Sequence, residues 1–160
     1  GGMADPSFLL DGMLCTLARW LRIMGYDSLY VQDADDRRML QLLEGNQRVL
    51  LTRDRQLCAR AGPRGFLVLS DDLDSQLEAV AGEFGLSPEG RMTRCSACNG
   101  ALVTQEKEEV RGDIPEGTWS AHDEFWRCGE CGKVYWKGAH WNNIRRRMEG
   151  LSRGPRRSPR

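Results

Sequence analysis

The sequence predicts an α/β fold, a parallel sheet covered by helices, with a small metal-stapled unit behind it. Three observations carry that prediction. A short apolar run that ends at an acid and leads into a helical pattern recurs four times between residues 8 and 86. Such alternation argues for a parallel sheet with helices on both faces. After Pro88 the pattern changes: glycines and two close cysteine pairs dominate, and no long helical period returns until Trp141. Charge shifts with it, from 10 Lys/Arg against 14 Asp/Glu in residues 1–93 to 13 against 9 in residues 94–160.

Taken in order, Phe8-Leu9-Leu10 is the first strand and ends at Asp11. Leu14, Leu17, Ala18, Leu21 and Met24 then recur at the spacing of a buried helix face, with Arg19 and Arg22 off that stripe. Gly25 is placed to end this helix. Tyr26 to Val31 reads as the second strand, followed by Asp33-Ala34-Asp35-Asp36 and a short helix through Met39, Leu40, Leu42 and Leu43. The run 48–54 places three consecutive aliphatics before Arg53-Asp54, the composition of a strand buried on both faces. A helix through Leu57, Cys58 and Ala61 is broken by Gly62-Pro63. The fourth strand, Phe66 to Leu69, ends at Ser70-Asp71-Asp72, and Leu73, Leu77, Val80 and Phe84 mark the fourth helix. Cys15 and Cys58 lie within these apolar patterns and are expected to be buried thiols. The divisions are an α/β domain over 3–90, a metal unit with a short terminal helix over 91–150, and a disordered basic tail over 151–160.

A composition of 40% hydrophobic and 29% charged residues is ordinary for a soluble domain. No apolar run approaches the ~18 residues of a membrane span, and the N-terminus lacks a secretory pattern. The expectation is an intracellular protein, cytoplasmic or nuclear, with no membrane partner.

Two constellations carry chemistry. The first is acidic. In a parallel sheet the strand ends share one edge, so Asp11, Asp33, Asp35, Asp36, Asp54, Asp71 and Asp72 can converge there, where open α/β folds bind ligands. Clustered carboxylates repel unless a cation neutralises them, and hard oxygen donors suit Mg²⁺ or Mn²⁺. Metal-assisted phosphodiester hydrolysis is the natural use of such a site. Each acid also precedes a helix and can simply cap it. A phosphoacceptor receiver domain is the rival within the fold class. It would require an acidic pair after the first strand and a fifth strand ending in Lys, and the sequence has neither.

The second constellation is Cys95-Ser96-Ala97-Cys98 with Cys128-Gly129-Glu130-Cys131. Two knuckles that each offer two thiolates form a strong zinc signal, and an all-cysteine shell fits a structural site. Two disulfides or an iron–sulfur cluster are the alternatives. Around the knuckles stand Trp119, Phe125, Trp126, Tyr135, Trp136 and Trp141, which pack a small core or, where exposed, stack on unpaired bases. Arg145, Arg146 and Arg147 and the basic tail can contact phosphates, form a solvated face or act as a localisation signal. Arg19, Arg22 and Arg53 flank the acidic edge and are further candidates for phosphate contact.

Phe8-Leu9-Leu10-Asp11-Gly12-Met13-Leu14, Leu17-Ala18-Arg19-Trp20-Leu21-Arg22 and Gly25-Tyr26-Asp27 together resemble the opening of the Mut-seven C-terminal RNase domain family. Leu50 to Arg55 resembles its second signature. The Cys95–Gly100 knuckle, the later Cys pair and Tyr135-Trp136-Lys137-Gly138-Ala139-His140 resemble its ribbon. The match covers roughly residues 8–148 in the right order. It implies a PIN-like nuclease fold with an appended zinc ribbon, and the C-terminal part of an animal homologue whose full-length chain has an exonuclease domain upstream. It further implies that Asp11 and Asp54 hold a divalent ion, with Asp36, and next Asp33, as the third acid. The leading expectation is a Mg²⁺- or Mn²⁺-dependent ribonuclease acting on single-stranded RNA. The rivals are a catalytically silent RNA-binding module beside a separate exonuclease, and a zinc-stapled protein-interaction domain.

Overall fold

The computed structural model describes residues 5–87, 92–139, 141–142, 146–147 and 150. Four strands form one parallel sheet: β1 (Phe8–Leu10), β2 (Ser28–Tyr30), β3 (Val49–Thr52) and β4 (Gly65–Leu67), in the order β2-β1-β3-β4. Between and after them run α1 (Cys15–Ile23), α2 (Asp36–Leu43), α3 (Arg55–Ala61) and α4 (Leu73–Phe84). The expected alternation is present: β1 matches its run, β2 is three residues shorter than the expected 26–31, and β4 begins one residue before the expected 66–69 and ends two residues earlier. Leu10 lies beside both Tyr30 and Leu51, so β2, β1 and β3 end nearly level. That register places Asp11, the next residue of β1, beside Thr52 of β3.

Alternation along the strands sorts the core into two layers. Phe8, Leu10 and Leu51 pack with Leu14, Leu17, Leu21, Leu77 and Val80 on the face covered by α1 and α4. Leu9 and Leu50 point the other way, against Met39, Leu43 and Leu57 of α2 and α3. Central strands buried on both faces explain why their sequences are unbroken aliphatic runs. Edge rings from Phe8, Phe66 and Phe84 meet in T-shaped contacts that close the first layer.

The second part is a three-stranded antiparallel sheet, β5 (Leu102–Gln105), β6 (Phe125–Cys128) and β7 (Val134–Tyr135), in the order β5-β6-β7. Two short helices, α5 (Lys107–Val110) and α6 (Glu116–Ala121), fill the β5–β6 connection. They are too short for a helical period to register in the sequence. Glu106 and Glu109 form a reciprocal capping box on α5.

This unit seats on the end of the sheet at the α1–β2 turn. Asn99 sits in the left-handed region at φ 73°. Its amide oxygen accepts from Ser28 N–H at 3.0 Å, and its NH₂ donates to Asp27 at 2.7 Å. Arg22 is 7% exposed and donates to the carbonyls of Ser28, Ser96 and Ala97. Among the described residues, no helix is long and apolar enough to cross a membrane.

Candidate active site and metal centre

At the carboxyl edge of the sheet, Asp11 ends β1 and caps the single 3-10 turn, Gly12–Leu14, that leads into α1. Its Oδ1 has only a long contact to Met13 N–H, 3.4 Å, while Oδ2 accepts the Thr52 hydroxyl at 2.5 Å. The Thr52 oxygen in turn accepts the Asp54 N–H at 3.0 Å. Asp54 caps α3 by accepting from Gln56 and Leu57 N–H on a single oxygen, Oδ1, and among the described residues Oδ2 has no hydrogen bond. One fully buried threonine thus links the Asp11 carboxylate to the backbone N–H of Asp54 at the end of the adjacent strand. Neither acid forms an ion pair among the described residues, so the edge carries uncompensated negative charge.

The remaining acids divide. Asp35 caps α2 and Asp72 caps α4, as the capping alternative expects. The Ser75 N–H and hydroxyl hold the Asp72 carboxyl below its ordinary range. Asp36 leans on Arg60 at 3.5 Å. Asp33 is exposed and left-handed, φ 61°, a conformation Asp tolerates better than most residues. Burial raises the pKa of Tyr30 above the usual phenol value, and the nearby Cys15, Asp11 and Asp33 raise it further. Tyr30 donates to Gly12 C=O at 2.8 Å, tying β2 to the Asp11 turn. Asp11 and Asp33 therefore share a neighbourhood around Tyr30, while Asp36 faces α3.

Sequence reasoning missed Thr52 and Tyr30. The signal for Thr52 was a hydroxyl at the last position of an otherwise aliphatic strand, where a buried polar group requires partners. Of the expected phosphate contacts, Arg19 is exposed, and Arg53 reaches Leu69 C=O at 3.4 Å with its Nε buried and unpartnered. Arg146 is exposed; Arg145, His140 and the tail lie outside the described residues. Arg22 departs from its expected role, because its three carbonyl partners spend the guanidinium inside the molecule. Burial lowers its pKa, opposed by the Cys95, Cys98 and Cys15 thiols. The expected burial of Cys15 and Cys58 does not hold either: Cys15 is exposed and Cys58 half-buried. Cys15 follows Leu14 onto the face of α1 that turns away from the sheet.

Among the described residues, Cys95, Cys98, Cys128 and Cys131 are the one group of three or more ligating side chains disposed around a common point. Their sulfurs lie within 4.8 Å of one another, with 3.7 Å from Cys95 to Cys131 and 3.5 Å from Cys98 to Cys128. Disulfide sulfurs would be ~2.05 Å apart. A tetrahedral ion ~2.3 Å from each sulfur would separate them by about 3.8 Å. The four could therefore hold a structural metal such as zinc. The Cys128 sulfur accepts from the N–H groups of Glu130 and Cys131. At Gly100 a Cβ would stand 2.8 Å from the Cys128 sulfur, so only glycine fits there.

Charge explains why such a site, with its thiols ionised, favours a cation. Burial pushes the Cys95 thiol up, but the Tyr135 hydroxyl and the N–H groups of Cys98 and Ala97 bring it down to about 7. The Gly100 N–H draws Cys98 down, yet burial and the thiols of Cys128, Cys95 and Cys131 leave it at about 12. Four neighbouring thiolates do not coexist without a positive ion.

The Mut7-C RNAse domain family model matches residues 6–148. The chain belongs to that family. The match spans both the α/β unit and the cysteine unit, so the two form one family domain rather than a chance pairing. A Mut7-C RNAse domain suggests nuclease-like function and an interaction with RNA. Neither the curated proteins nor the solved structures give a match.

Proposed function

We propose that this Mut7-C domain is a divalent-metal-dependent ribonuclease that hydrolyses phosphodiester bonds of single-stranded RNA at the Asp11–Asp54 edge. The observation that carries the reading is the Asp11 carboxylate bonded to Thr52, which in turn accepts the Asp54 N–H, with neither acid in an ion pair among the described residues, in a chain of an RNase family. The donor set fits Mg²⁺ or Mn²⁺: hard oxygens, with Asp54 Oδ2 unspent and Asp11 Oδ1 barely engaged. Asp33 is favoured over Asp36 as the third acid because it shares the Tyr30 neighbourhood with Asp11. When bound, the ion supplies an activated water and stabilises charge on the leaving oxygen. Thr52 fixes the orientation of Asp11, and Tyr30 holds the turn that carries it. Arg53, beside Asp54 in the chain and with an unmet guanidinium donor, is the cation proposed to meet a phosphate.

In the cysteine unit the proposed ion is zinc, in a structural role, since four thiolates leave no open position. Free, metal-binding thiols suit a reducing compartment, cytoplasmic or nuclear. An exonuclease domain upstream in the full-length protein fits the same reading.

The test is cleavage of a labelled, unstructured RNA by zinc-loaded protein with added Mn²⁺ or Mg²⁺. Asp11→Asn and Asp54→Asn should each lower the rate by roughly a hundredfold or more, the scale of losing one charge-stabilising group. Asn is as good an N-cap as Asp, so Asp54→Asn should retain α3 and the melting temperature. Wild-type rates in both variants would refute the assignment. Binding without cleavage across metals would make the domain a silent RNA-binding module, and no RNA binding would leave the protein-interaction reading.

A further inference from the structure

We propose that the groove between α1 and the cysteine unit is the channel that holds an unpaired RNA strand on its way to the acidic edge. This rests on the nuclease reading of that edge. The groove is a cavity of about 540 Å³, with α1 forming one wall and the β7 region the other. Three cations line it, Arg19, Arg94 and Lys133, together with the rings of Trp20, Tyr135, Trp136 and Trp141. No carboxylate stands among the described residues lining it. In a chain of zero formal net charge, a wall with three cations and no acid is a local concentration of positive potential.

The cations are unequally engaged. Arg94 is tied to Asn99 C=O at 3.0 Å and lies 3.9 Å from Asp27. Lys133 rests 5.4 Å over the Tyr135 ring. Arg19 is exposed and has no hydrogen bond or ion pair among the described residues. Arg19 and Lys133 are thus free to meet an anion, one from each wall. Arg147 lies 4.8 Å over the Trp20 ring and Lys137 5.0 Å over Trp141. Trp136, with no cation over it among the described residues, is therefore the ring whose face suits a base, and a base offers its face only when it is out of a duplex. The chain at Gly138 runs close to the Trp136 indole, where a Cβ would stand 2.9 Å from its Nε1, so the glycine holds the ring against the groove wall.

Continuity with the acidic edge comes from α1 itself. Cys15, Arg19 and Ile23, with Thr16 and Trp20, lie on one face at helical spacing, a track of about 12 Å. The track begins at the first residue of α1, one 3-10 turn after Asp11. Cys15 also neighbours the Tyr30 hydroxyl, which is bonded to Gly12 C=O beside Asp11. A strand laid along α1 therefore runs toward Asp11 across the single turn Gly12–Leu14. This gives the acidic unit a way to hold a polyanion that its own net charge disfavours.

The experiment is fluorescence anisotropy with a labelled 2′-O-methyl 12-mer, single-stranded or annealed to its complement. The non-cleavable probe separates binding from cutting, and the protein is zinc-loaded with no chelator present. Arg19→Glu and Lys133→Glu should each weaken single-strand binding at least fivefold. The same reversal at Arg60, exposed on α3 outside the groove, should leave it within twofold. Trp136→Ala should lose roughly 5- to 100-fold, the scale of one stacked base, and wild-type tryptophan fluorescence should be quenched on binding. Circular dichroism and zinc content confirm folding of each variant. Binding by Arg19→Glu and Lys133→Glu within twofold of wild type, or duplex bound as tightly as single strand, overturns the channel. Cleavage that persists in such a case keeps the nuclease reading. Groove effects in a protein that never cleaves keep the channel and remove the nuclease.

Discussion

The two halves of this domain are held together by different physics. In the α/β part, Phe8, Leu9, Leu10, Leu50 and Leu51 are fully buried, and two apolar layers close over both faces of the sheet. In the cysteine unit the buried apolar residues among those described are Cys95, Val110, Phe125 and Cys128, and two of these four are cysteines of the candidate metal site. A unit of that size cannot bury enough apolar surface to offset its chain entropy, so small domains turn to metals or disulfides. The first half is cohesive through area, and the second is expected to depend on a single point, a metal held by its four cysteines. The join between them is polar, built from Arg22, Asn99 and Asp27.

The largest expected effect comes from removing that point. Cys128→Ser, or zinc chelation, should unfold residues 92–139 while the sheet survives, since structural zinc contributes roughly 10–16 kcal/mol to such units. Hydrogen exchange should show full protection of β1 and β3 amides beside rapid exchange in β5 and β6. Protection of the cysteine unit without metal would break the comparison. Next in size, Leu50→Ala should cost about 2–5 kcal/mol by opening the layer under α2 and α3. It should lower the melting temperature without changing zinc content. Loss of zinc in that variant would mean that the halves fold as one unit.

Arg22→Gln should cost less, roughly 1.5–3 kcal/mol, the worth of hydrogen bonds from a charged group. Because it joins Ser28 to Ser96 and Ala97, its loss should separate the two halves into distinct thermal transitions. A single transition at lower temperature would show that other contacts carry the coupling. The smallest effect is a pH dependence. Burial raises the Asp27 carboxyl, but Arg48 and Asn99 hydrogen bonds and the nearby Arg94 hold it below its ordinary value. A carboxyl depressed in the folded state stabilises above its unfolded pKa of ~3.9 and loses that contribution as pH falls through the folded value. Wild type should therefore be more stable than Asp27→Asn at pH 7, and the gap should close below about pH 4. An undiminished gap at pH 3 would show that Asp27 acts through shape rather than charge.

Local order was written in the sequence because local rules produce it. Unbroken aliphatic runs marked strands buried on both faces, acids such as Asp35, Asp54 and Asp72 before helices marked caps, and the two knuckles marked four cysteines that come together as a candidate metal site. Each depends on residues within a few positions of one another. What required tertiary structure was everything set by register and docking. Level strand ends bring Asp11 to Thr52 across 41 positions, a pairing no spacing rule predicts. The cysteine unit covers one face of α1, which buries Arg22 and turns a residue that looks solvent-facing into an internal strut. The same docking sets Arg19 and Trp20 opposite Lys133 and Trp136, forming a groove whose walls lie more than a hundred residues apart in the chain. A helix face is visible as a periodicity, but what lies against it depends on a second surface, and the sequence of the helix carries no information about that surface.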